Sequence, residues 1–99
     1  MLKIEWDENK NVRNKSKHGI SFEEAKDVLS DEDALLIFDN KHSLDEDRFL
    51  MVGIAQTLNV ITVVFCIREL DTFRIISARR ATKNEREEYE KRKFKNTLC

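Results

Sequence analysis

The chain has 99 residues, 18 of them Lys or Arg and 19 Asp or Glu, for a formal net charge of −1. That length holds one hydrophobic core and therefore one domain, and the 40% apolar content gathers into strand-like runs, which excludes a disordered chain despite 37% charged residues. The longest apolar run, residues 60–67, is far too short to span a bilayer; the alternating, acid-bearing start does not read as a signal peptide; and two cysteines make no disulfide framework, which fits a reducing cytoplasm.

Residues 2–6 alternate, with Leu2, Ile4 and Trp6 on one side, and predict a short strand. Asp7 stands where a carboxylate caps the first turn of a helix. That helix runs to Lys17 and His18 and stops at Gly19, with cations at the negative end of its dipole. Its apolar content is little more than Val12, so most of its surface faces water or a ligand. Ser21-Phe22-Glu23-Glu24 reads as a capping box opening a second helix, with Ile20 and Ala25 as a hydrophobic staple. Phe22, Ala25, Val28 and Leu29 then recur at helical spacing and point to a core.

Strands are expected over 34–38, 48–55, 60–67 and 73–81, the last three joined by short connections into an antiparallel meander. Residues 60–67 are apolar on both parities, the mark of a central strand covered on both faces. A second capping box, Thr82-Lys83-Asn84-Glu85, opens a final helix through Tyr89 towards Phe94. The order predicts a small single α+β domain over residues 1–99: an antiparallel sheet with two N-terminal helices and one C-terminal helix.

The near-neutral total conceals a split. Residues 1–50 hold 8 basic and 13 acidic side chains; residues 51–99 hold 10 and 6. Residues 9–22 carry Lys10, Arg13, Lys15, Lys17 and His18 without a single acid, whereas 23–47 carry ten acids against two lysines. Basic blocks flanking an acidic one suit a polyanion on one surface and a cationic partner on another.

Arg68 ends the predicted central strand, and Arg74, Arg79 and Arg80 lie on the next. Strict alternation groups Arg74 and Arg80 on one side and Arg79 on the other. Guanidiniums on a half-buried sheet meet either carboxylates or phosphates. Internal pairing with the abundant acids accounts for any one of them; the cluster taken with the Lys10–His18 segment favours a phosphate-binding surface. His18 carries an imidazole suited to general acid–base work beside Lys17, although capping a helix C-terminus explains it more simply. His42 reads as a solvated loop residue, Cys66 as core, and Glu46 as either a base, a partner for Arg48 or part of the solvated turn Asp45-Glu46-Asp47. No Cys-x-x-Cys or His-x-x-x-His pair, glycine-rich phosphate loop or nucleophile elbow is present, so neither a metal nor a cofactor is expected. RNA cleavage remains open to such a chain. The substrate's 2′-hydroxyl is the nucleophile, and the protein supplies a base, an acid and cations.

Read in order, Ile4-Glu5-Trp6-Asp7, Lys10, Asn14, Lys17-His18-Gly19-Ile20-Ser21-Phe22-Glu23-Glu24-Ala25 and Asp31 resemble the amino-terminal signature of the BrnT toxins. Asp47-Arg48-Phe49, Gly53, Arg68, Arg74-Ile75-Ile76-Ser77-Ala78-Arg79-Arg80-Ala81 and Glu85-Arg86-Glu87-Glu88-Tyr89 resemble the remainder, so the likeness covers about residues 2–90. Ile4 stands where the family usually has Phe, and the tail ending in Cys99 is longer. The resemblance implies a RelE-like fold and a type II toxin, a ribonuclease that blocks translation by degrading RNA. It further implies a BrnA-like ribbon-helix-helix antitoxin, in a 2:2 heterotetramer that binds operator DNA through the antitoxin.

Together these readings give a metal-independent endoribonuclease. Arg68, Arg79 and Arg80 bind the scissile phosphate, assisted by Lys17. His18 or Glu46 handles protons, and Tyr89 stacks or donates. Lys10, Arg13, Lys15 and Arg74 track the RNA backbone. The acidic block 23–47 meets a basic antitoxin. The rivals are a catalytically inactive homologue that binds protein as a co-repressor, and a structural domain whose arginines pair with its own acids.

Overall fold

The computed structural model describes residues 3–42 and 46–98; Leu2, Asp45 and Cys99 lie outside them, as does the side chain of His42. The chain runs β1 (Lys3–Glu5), α1 (Glu8–His18), α2 (Phe22–Lys26), a 3-10 turn (Asp27–Ser30), β2 (Leu35–Phe38), a second 3-10 turn (Asn40–His42), β3 (Arg48–Ile54), β4 (Val60–Arg68), β5 (Thr72–Arg80) and α3 (Lys83–Leu98). The five strands form one sheet in the order β1-β5-β4-β3-β2. β4 is central, as its unbroken apolar run requires, and β3, β4 and β5 form the expected antiparallel meander.

Two features depart from the sequence reading. β1 pairs with β5 in parallel, Ile4 opposite Phe73; alternation determines which side of a strand is apolar but not the direction in which it pairs. The second departure is a bulge. Val64 faces Ser77 and Phe65 faces Ile75, so Ile76 is the extra residue in β5. Its insertion reverses the parity of the strand's first half relative to its second. Arg74, opposite Cys66, therefore shares a face with Ser77 and Arg79, while Arg80 lies on the other face with Ala78 and Ile75. The grouping of Arg74 with Arg80 is thereby corrected.

The core lies between the sheet and α1–α2, where Ile20, Phe22, Ala25 and Val28 pack on Ala55, Ile61, Val63, Ile75 and Ala78. α3 crosses the opposite face over β3 and β2. Helix ends follow their sequence signals. The Asn9 N–H donates to the Asp7 carboxylate at 2.8 Å, and Gly19 takes the left-handed C′ conformation at φ 74°. The capping box at α3 is complete: the Thr82 N–H donates to Glu85 Oε1 at 2.8 Å and the Glu85 N–H to Thr82 Oγ1 at 3.2 Å. At α2 only half of the box forms. The Glu24 N–H donates to Ser21 Oγ at 3.1 Å, but the Glu24 carboxylate turns away to Thr57 and Asn59 in the β3–β4 connection.

Candidate functional site

α1 is nearly devoid of apolar contacts, and two asparagines hold it in place. The Phe22 N–H donates to Asn11 Oδ1 at 2.7 Å, while Asn11 Nδ2 reaches Glu8 and Glu23 at 3.0 and 2.9 Å. Asn14 Nδ2 donates to the carbonyls of Ile20 and Ala78, each at 2.8 Å, and its Oδ1 accepts the Ala78 N–H at 3.2 Å. Both asparagines are buried. One face of the helix is thus clamped to the free edge of β5, beyond the end of the short β1. Neither asparagine is expected from the sequence to anchor the helix; Asn14 stands there only within the family motif. The signal available was two asparagines spaced i, i+3 on a helix with no other means of attachment.

The clamp turns four chemistry-bearing side chains of α1 toward the bulge. Lys10, Arg13, Lys17 and His18 line a pocket of about 280 Å³ with Asn14, Ile76 and Ser77. Residues 10, 13, 14, 17 and 18 form one helical stripe, and the displaced Ile76–Ser77 segment supplies the opposite wall. The structure thus brings Lys10, Arg13, Lys17 and His18 together. It places Lys15 elsewhere, in a separate groove with Glu8, Val12 and Glu23, its Nζ 3.4 Å from the Gly19 carbonyl.

Ser77 links this pocket to the sheet face that carries Arg74, Arg79 and the Cys66–Arg68 strand end. Arg68 Nη2 lies 3.5 Å from Glu46 Oε1, and both side chains are substantially exposed. The Cys66 thiol beside them is pushed up, first by burial, and the Arg68 guanidinium is pushed up by its contacts with Cys66 and Glu46. Arg74 Nη1 meets Glu5 Oε2 at 2.5 Å. Arg79 is held at both ends of its fork, Nη1 to Glu85 Oε1 at 2.7 Å and Nη2 to Oε2 at 3.0 Å. The Arg79 guanidinium lowers the Glu85 carboxyl to about 2, with help from the Thr82 N–H and the Thr62 hydroxyl.

Two predicted site residues stand apart. Arg80 reaches across to Asn59 Oδ1 at 3.0 Å on the other face, so its guanidinium and that of Arg79 point away from each other across the sheet. Tyr89, on the buried side of α3, is 2% exposed and donates its hydroxyl to Asp31 Oδ2 at 2.6 Å. Burial and then Asp31 push that hydroxyl well above the usual phenol range. In this position it offers no ring face for stacking on a base.

The acidic block is largely employed in holding loops. Glu23 accepts from Asn11, Glu24 from Thr57 and Asn59, and Asp27 from the Gln56 N–H. Asp31 accepts from the Ile54 and Asp33 N–H groups and from Tyr89, and Asp33 accepts from Asn96. These carboxylates tie chain segments together. Among the described residues no three His, Cys, Asp or Glu side chains converge to hold a metal, and no helix is long and apolar enough to cross a membrane.

Residues 6–85 match the family described as ribonuclease toxin, BrnT, of type II toxin–antitoxin system. The fold is similar to the crystal structure of the Brucella abortus ribonuclease toxin, BrnT, with a TM-score of 0.64 and 30% sequence identity over 84% of this chain and 100% of that one. Among curated protein sequences none matches.

Proposed function

Because the chain belongs to the BrnT ribonuclease toxins of type II toxin–antitoxin systems, we propose that it cleaves RNA in the pocket between α1 and the β5 bulge, without a metal, and thereby inhibits translation. The observation that carries this reading is the convergence of Lys10, Arg13, Lys17 and His18 on one cavity walled by the displaced Ile76–Ser77 segment. A phosphodiester seated there gains charge in the transition state as the 2′-hydroxyl attacks, and the Lys and Arg side chains offset that charge. His18 exchanges the protons, since it lines the same cavity and an imidazole has one nitrogen to accept a proton and one to donate it. Arg74 and Arg79 share the sheet face reached through Ser77 and guide the flanking backbone. Arg68 with Glu46 extends that track towards the far end of β4, where Glu46 is a second candidate for proton transfer. A BrnA-like antitoxin of ribbon-helix-helix fold, in a 2:2 complex that binds operator DNA, completes the proposal.

The pairing of Arg68 with Glu46, Arg74 with Glu5 and Arg79 with Glu85 favours a second reading, a catalytically inactive homologue that acts only as a co-repressor. Induction in cells lacking the antitoxin separates the two. Growth arrest with loss of intact RNA, abolished in Lys17→Ala and His18→Ala, supports cleavage at this pocket; normal growth with intact RNA supports the inactive homologue. Purified protein that loses RNA cleavage in EDTA overturns the metal-free mechanism.

A further inference from the structure

β2 is an edge strand: β3 pairs with one side, and among the described residues nothing pairs with the other. Just past its end the Asp39 N–H donates to the Arg48 carbonyl at 2.9 Å. The two-residue alternation of an antiparallel ladder therefore turns Leu35 and Ile37 towards β3 and leaves the N–H and C=O groups of Leu36 and Phe38 directed outward. Sheet edges are commonly blunted by lysine, proline or a bulge. The Leu-Leu-Ile-Phe sequence of β2 has none of these.

The two sides of this edge differ in chemistry. On the α1–α2 side stand Leu36, 56% exposed, and Phe38, 43% exposed. Phe38 is the open end of a row of rings, Phe38–Phe49–Phe65–Phe73, whose centroids are 5.5, 5.7 and 4.8 Å apart. On the α3 side Ile37 is 36% exposed, and Leu35 lines a cavity of about 340 Å³ with Glu88, Lys91, Arg92, Lys95 and Asn96. Lys91 lies 3.6 Å from Glu88, and among the described residues neither Arg92 nor Lys95 has a salt bridge.

We propose that this edge takes up an extended segment of a partner protein as a sixth strand, apolar side chains over Leu36 and Phe38 alternating with acidic ones beside Lys91, Arg92 and Lys95. An added strand satisfies the outward backbone groups, and its two-residue period sends successive side chains to the two faces, matching the apolar and cationic sides of the edge. A second copy of this chain fits less well, because its own β2 brings no acid to the three cations. A nucleic acid would meet the cations yet leave the strand edge and Leu36 and Phe38 uncovered. The assignment holds whether or not the chain cleaves RNA.

The test is fluorescence anisotropy of the intact protein with a labelled ten-residue peptide that alternates Glu with Val or Leu. The controls are a peptide of the same composition with its acids contiguous, and the alternating peptide N-methylated at every second residue, in both possible phases. The alternating peptide should bind roughly tenfold or more tightly than the contiguous-acid peptide and than one of the two N-methylated phases, a difference of about 1.4 kcal/mol. The triple variant Lys91→Glu, Arg92→Glu, Lys95→Glu, which alters exposed side chains only, should weaken binding by a similar factor and leave RNA cleavage unchanged. Equal affinity for the contiguous-acid peptide, indifference to both N-methylation phases, or unchanged binding to the triple variant overturns the proposal. So does displacement of the peptide by an RNA oligonucleotide, or a protein dimer that the peptide dissociates, since the occupant is then a nucleic acid or a second copy.

Discussion

The carboxamide of Asn14 acts as a strand partner for Ala78, donating to its carbonyl at 2.8 Å and accepting its N–H at 3.2 Å. β1 pairs only with Thr72–Arg74, and further along β5 this one side chain supplies the missing edge contacts. It also carries the register of α1, and with it the position of every cation in the candidate pocket. Asn14→Ala leaves the Ala78 N–H and C=O and the Ile20 carbonyl without their partner, and is expected to lower unfolding free energy by about 2–4 kcal/mol in urea titrations. Asn14→Asp should not rescue it. A carboxylate accepts the Ala78 N–H but repels the carbonyls of Ile20 and Ala78.

Arg79 and Glu85 set a pH dependence. Glu85 titrates at about 2 in the folded chain against an ordinary 4.5. A depressed acid contributes stability that is fully present above its unfolded value and is lost as pH falls through its folded one. Stability should therefore decline from about pH 4.5 towards pH 2, with this pair contributing about 1–2 kcal/mol after solvent screening. Chemical denaturation at a series of pH values checks it. In Glu85→Gln that component should be absent, leaving a shallower acid limb.

Where sequence signals were local, they located the elements: Asp7 and Gly19 bounded α1, Thr82 and Glu85 opened α3, and the doubly apolar run placed β4 at the centre. The candidate pocket was half legible, since Lys10, Arg13, Lys17 and His18 fall on one helical stripe whatever that helix packs against. Its other wall was not. The bulge at Ile76 arises from how β5 registers against β4, and no residue within 72–80 announces it. Its effect was to move Arg74 across the sheet. Likewise Tyr89 reads from sequence as a free aromatic on a polar helix. It is buried, and its hydroxyl is bonded to Asp31, 58 positions earlier in the chain, where no local pattern reveals the contact.

That contact gives a direct test of role. Tyr89→Phe removes the hydroxyl bonded to Asp31 and keeps the buried ring, so it should cost about 1–2 kcal/mol of stability. The ribonuclease rate measured well below the melting temperature should be unchanged. A large loss of activity in a folded Tyr89→Phe protein would instead make the hydroxyl a participant in the chemistry.

Gly53 completes the same corner. A Cβ at this position would lie 3.0 Å from Asp31 Oδ2 and 3.0 Å from Val28 Cγ1, with Ala34 Cβ at 3.4 Å. Val28 is fully buried, and the Asp31 carboxylate is fixed by the Ile54 and Asp33 N–H groups and by the Tyr89 hydroxyl. Neither neighbour yields without breaking a hydrogen bond or repacking the core, so Gly53→Ala should cost about 1–3 kcal/mol. The strain passes through Asp31, and a double-mutant cycle reveals the route. With Tyr89→Phe in place the carboxylate has lost one of its three anchors and can give way to the new methyl. The two substitutions together should therefore destabilise by less than their sum, with a coupling of about 0.5–1 kcal/mol. Strict additivity would place the clash on Val28 alone.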